Sequence, residues 1–112
     1  MEANEILIKK YLLDIENSIL SVQEFTQNLT WNDYQASKLV RRAVEREIAI
    51  IGEAVNKLSK IVPNLPFSSA KQIIATRNYV VHSYNNVDDV IIWGIVQNHL
   101  ATLLEEVRSF FQ

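Results

Sequence analysis

Apolar residues return at the helical period along most of the chain. Between about residues 4 and 28, Ile8, Leu12, Ile15, Ile19, Val22 and Phe25 fall three or four positions apart, which predicts one long helix with a single apolar stripe. "TWND" follows, where the spacing of Thr30 and Asp33 predicts a capping box. The period resumes in Leu39, Val40, Val44, Ile48, Ile51, Val55, Leu58 and Val62, so a second long helix is expected over about 32–62. Gly52 inside it costs about 1 kcal/mol against Ala, which predicts that another helix approaches closely there.

"VPNLPF" at 62–67 breaks the pattern, since proline lacks an amide proton and disfavours helix in the residue before it. Ser69 and Gln72 repeat the capping-box spacing and open a short third helix at about residue 69, which closes in "SYNNVDD". Asp88 or Asp89 then caps a last helix carrying Val90, Ile91, Ile95, Leu100, Leu103, Leu104, Val107 and Phe110. Three long helices and a short one with brief connections predict an all-α, up-and-down helical bundle. The second and last helices hold more apolar surface than one stripe. Ile50 beside Ile51, and Ile91, Ile92, Trp93, Ile95 and Val96 together, pass well beyond the ~100° arc that one core needs. The surplus predicts a second buried face, and hence a homodimer.

Composition narrows this further. At 112 residues the chain is expected to be one domain spanning 1–112, and 48% hydrophobic content with only two Gly and two Pro favours packed helices over a turn-rich sandwich. Eleven Lys and Arg against thirteen Asp and Glu give a net charge of -2, so no bulk positive field draws the chain to nucleic acid, and any RNA contact must be local. The absence of cysteine removes disulfides, thiolate nucleophiles and thiolate zinc sites. Acids and lysines in "MEANEILIKKYLLDIENS" do not fit a signal peptide, and no apolar run is long enough to span a bilayer, so a cytoplasmic protein without a membrane partner is expected.

Candidate chemistry concentrates in "RNYVVHSYNN", residues 77–86. His82 is one of two histidines; the other, His99, sits among apolar neighbours with nothing reactive at helical spacing and reads as structural or partly exposed. In an ideal helix Arg77 and Tyr84 share a face while His82 stands about 140° from Arg77. If all three serve one site, the helix must end or distort near His82, or a partner chain must complete the site. The residue types suit cleavage of RNA without a metal or cofactor. An imidazole titrating near pH ~6.5 exchanges the protons, and a guanidinium that stays charged neutralises the phosphorus centre. DNA, lacking the 2′-hydroxyl, is not cut by this route. Taken alone, however, Arg and His near a helix end read first as residues that the helix dipole favours.

"RNYVVHSY" resembles the R-x4-H-x-Y motif of the HEPN toxins of the HepT family, small all-helical proteins usually encoded beside a minimal nucleotidyltransferase antitoxin. "AVEREIAIIGEAVNKLS", residues 43–59, resembles the family's second helix with its I-G-E-A core. "PNLPFSSAKQIIATRNYVVHSY" follows its proline loop and motif helix in order, with Phe67 where the family often has Trp. The resemblance spans nearly the whole chain. It implies a homodimer whose two motifs meet in a cleft, Arg77 and His82 as the catalytic pair of a metal-independent endoribonuclease, and a 2′,3′-cyclic phosphate product. It also implies that Tyr84 is the tyrosine to which the partner nucleotidyltransferase adds AMP, blocking the toxin with charge and bulk at the RNA phosphate site.

Other residues have two readings. Asn78, four positions before His82, can orient the imidazole or simply face solvent. Glu53 can reach the cleft, with an i+4 ion pair to Lys57 as the rival. Tyr79 can stack on a base or pack. Arg41, Arg42 and Arg46 can touch phosphate or form an exposed charged face. Two further functions fit the same residues: a non-catalytic, nucleotide-binding or scaffolding subunit of a nucleotidyltransferase complex, and a dimeric interaction protein whose polar motif only ends a helix.

Overall fold

The protein is described by a computed structural model covering residues 2–83 and 86–111. Among these residues six helices form and no strand: α1 Glu2–Thr26, α2 Trp31–Ala36, α3 Lys38–Ile61, α4 Ala70–Ser83, α5 Asp89–Asn98 and α6 Leu100–Phe110. The all-α expectation holds. None of these helices is long and apolar enough to cross a membrane.

α1 buries the expected Leu12, Ile15, Ile19 and Val22, while Phe25, expected on the same stripe, lies at the surface. Asn28 leaves the helix at φ 62°, a left-handed conformation that Asn tolerates better than most residues. Both bonds of the capping box then form: Asp33 N–H donates to Thr30 Oγ1 at 3.1 Å, and Thr30 N–H donates to Asp33 Oδ2 at 3.0 Å. These bonds hold the Asp33 carboxyl below its ordinary value.

The single helix expected over 32–62 is in fact two. The chain turns out of helix at Ser37 (φ -104°, ψ 102°), whose hydroxyl accepts from Val40 N–H and so caps α3. Leu39, expected on the buried stripe, is 82% exposed in the first turn after this break. The turn directs Tyr34 into the core, where its ring lies 4.9 Å from that of Trp93 and Trp31 packs 6.2 Å from Trp93. Val44, Ile48, Ile51, Val55 and Leu58 are buried along α3 as expected.

The expected last helix is likewise divided, at His99 (φ -128°, ψ -31°). Ser69, expected to cap the motif helix with its side chain, instead places its hydroxyl 2.7 Å from His99 Nδ1. That bond rewards a departure from helical geometry that the apolar period of the last helix does not reveal. Asp88 is the cap of α5, accepting from Val90 N–H. α3 lies at the centre: α1 and α4 pack against it, α6 packs on α1, and α5 adjoins α6 and α4. Phe67 is buried in the proline loop with its ring edge-on to Phe110.

Candidate active site on the motif helix

Gly52 marks where α4 crosses α3. A Cβ added there would overlap the Cβ of Arg77, lie 2.8 Å from its Cγ and meet the Ile73 carbonyl at 3.1 Å. The approaching helix predicted from this glycine is therefore the motif helix, and the side chain fitted into the space is Arg77. The residue after Gly52 on α3 meets the guanidinium: Glu53 Oε2 lies 2.6 Å from Arg77 Nη2, while Glu53 Oε1 lies 3.4 Å from Lys57 Nζ. The i+4 ion pair to Lys57 thus forms, and the same carboxylate also meets Arg77. Asn78 Oδ1 accepts from Arg77 Nη1 at 2.9 Å, so its carbonyl oxygen is engaged by the arginine.

Arg77 opens into a groove of about 320 Å³ between α1, α3 and α4, lined also by Lys10, Tyr11, Asp14, Arg46 and Lys57. Lys10 pairs with Asp14 at 2.9 Å, which raises the pKa of its ammonium. His82 is exposed and is not among the groove's lining residues. α4 runs without interruption through it to Ser83, so guanidinium and imidazole stand about 140° apart on one helix. Tyr84 lies outside the described residues.

Tyr79 has a role that neither reading of the sequence anticipated. Its hydroxyl accepts from Asp88 N–H at 2.6 Å and donates to the Asn86 carbonyl at 3.2 Å, pinning the connection between α4 and α5 to the motif helix. No spacing rule signals such a contact. Arg41 faces Asp89 at 3.8 Å, and Arg42 pairs with Glu45 at 3.1 Å. Arg46 lines the groove and, among the described residues, has no ion-pair partner. Glu45 is buried, and burial raises its carboxyl above the ordinary value despite Arg42.

Comparison with known proteins places these features in a family. The family described as Ribonuclease HepT-like matches residues 15–110. A protein of Methanocaldococcus jannaschii named "Putative RNase MJ1380" is 34% identical over 105 residues, covering 90% of this chain and 94% of that one. "Probable ribonuclease HepT" of Thermococcus cleftensis is 30% identical over 99 residues, covering 85% and 87%. No solved structure is a significant match. The match along almost the whole chain, motif helix included, means that this protein belongs to the HepT-like family.

Proposed function

We propose that this protein is a metal-independent endoribonuclease, the toxin of a toxin and antitoxin pair, with Arg77 and His82 as its catalytic residues. The observation that carries this reading is the state of Arg77: a guanidinium braced by Glu53 and Asn78 at the mouth of a groove. Arg77 lies in the middle of α4, so the dipole at the helix end does not account for its position. The names of the two relatives, both ribonucleases, support the same reaction class.

In the proposed reaction an imidazole of His82 accepts the 2′-hydroxyl proton as the oxygen attacks phosphorus. Arg77 neutralises the charge gathered on the phosphoryl oxygens. The bond from phosphorus to the 5′ oxygen breaks, that oxygen takes a proton from an imidazolium, and a 2′,3′-cyclic phosphate is left. One chain presents its guanidinium and imidazole on different faces of α4, so two copies complete the site and supply two imidazoles, one to accept and one to donate. The exposed Val90 and Ile91 at the start of α5 offer apolar surface for such a homodimer.

Tyr84 is the proposed regulatory position, where a cognate minimal nucleotidyltransferase adds AMP. The added phosphate would bring negative charge and bulk that oppose RNA binding. The test is incubation of labelled RNA with wild type, Arg77→Ala and His82→Ala in excess EDTA, with mass analysis of the product ends. Cleavage by wild type to cyclic phosphate ends, lost in both variants while their thermal midpoints hold, is the expected result. Undiminished cleavage in both variants would refute the assignment.

A further inference from the structure

The groove beside Arg77 contains more cation than the chain as a whole would lead one to expect. Lys10, Arg46, Lys57 and Arg77 line it against two carboxylates, Asp14 and Glu53, in a protein whose net charge is -2. Positive charge has been collected at one place. The cations also converge on an aromatic ring: Lys10 Nζ lies 5.1 Å and Lys57 Nζ 5.8 Å from the centroid of Tyr11, approaching from α1 and α3 respectively.

We infer that this groove is the binding path for the single-stranded RNA flanking the cleaved bond, with Tyr11 stacking a base and Lys57 and Arg46 holding phosphates on either side of it. The inference rests on the ribonuclease reading and adds a substrate-binding surface on α1 and α3 to it. Three observations carry it. A face made only of helical ion pairs, such as Lys10 with Asp14 and Lys57 with Glu53, would balance its charge, whereas Arg46 brings a cation without an acid among the described residues. A half-buried tyrosine ring with two ammonium groups over it joins a π-surface to cationic charge, the pairing that binds single strands; a base stacks on Tyr11 as a lysine swings from the ring to a phosphate. At about 320 Å³ the groove is at the small end of ligand-sized clefts, roughly 300–1,000 Å³, which suits one nucleotide unit at a time. Single strands fit better than duplex, because a base in a duplex is stacked between its neighbours and has no free face to offer Tyr11.

The experiment measures binding of a fluorescein-labelled 2′-O-methyl oligouridine of about ten nucleotides, which the proposed chemistry cannot cut, by anisotropy over a range of salt. Arg46→Gln and Lys57→Gln are each expected to weaken binding several-fold at low salt and to flatten the salt dependence by about 0.7 per lost phosphate contact. Tyr11→Leu is expected to weaken it roughly five- to a hundredfold. Wild-type affinity and salt slope in all three variants, with circular dichroism unchanged, would overturn the groove assignment. The ribonuclease reading would stand in that case if Arg77→Ala still lost cleavage in EDTA. An ATP competition arm separates a strand from a free nucleotide: ATP that binds where the oligonucleotide does not overturns the proposal too. Wild type that binds the oligonucleotide through these residues yet cuts no RNA would uphold the groove and refute the ribonuclease.

Discussion

Gly52 of α3 and Arg77 of α4 are fitted to each other: the missing side chain of the one is the space occupied by the Cβ and Cγ of the other. In an isolated helix, alanine at this position would stabilise by about 1 kcal/mol. Here the methyl group meets the Arg77 stem and, at 3.1 Å, a backbone oxygen of Ile73 that cannot rotate away. Gly52→Ala is therefore expected to lower the unfolding free energy by about 1–3 kcal/mol, read from the urea midpoint. It should also reduce RNA cleavage through displacement of Arg77. A midpoint that rises instead would show that the helices separate at no cost.

Tyr79→Phe removes one bond donated to the Asn86 carbonyl and one accepted from Asp88 N–H. The expected loss is about 0.5–1.5 kcal/mol, since both bonds are exposed and water can take the place of the phenol. Hydrogen exchange at the Asp88 amide should accelerate more than at amides in the middle of α3. Equal exchange in variant and wild type would mean that the connection is held by something other than the phenol.

Glu45 offers a test of pH dependence. Burial is the leading cause of its raised pKa, partly opposed by Arg42, so the fold prefers the neutral acid. A raised pKa contributes stability that is full below the ordinary glutamate value of about 4.5 and is lost as pH rises through the folded value. Glu45→Gln carries no such proton. Its stability relative to wild type should improve as pH increases from about 4 toward neutrality, measured by urea unfolding at several pH values. A difference that is flat with pH would show that Arg42, at 3.1 Å, fully compensates the buried charge.

The core-forming stripes of α1 and α3 could be read from spacing because Leu12, Ile15, Ile19, Ile48, Ile51 and Leu58 are buried by the same period that reveals them. The two helix breaks could not. At Ser37 and His99 the chain leaves helix for a side-chain bond, in one case to Val40 and in the other to Ser69, thirty residues away, and an apolar period contains no trace of either partner. The same limit applied around Arg77. Gly52 announced a crossing helix, but only the fold shows which side chain fills the gap and that the neighbouring Glu53 braces it.

The proline loop that leads into α4 is held by residues from the far end of the chain. Phe67 packs on Phe110, Ser68 N–H donates to the Glu106 carboxylate at 3.1 Å, and Ser69 meets His99. Mechanically, the motif helix is moored at its root to α6 and steered along its flank by α3. A disturbance at Glu106 or Phe110, on a helix with no residue in the groove beside Arg77, would therefore be transmitted as a tilt of the helix that presents Arg77 and His82.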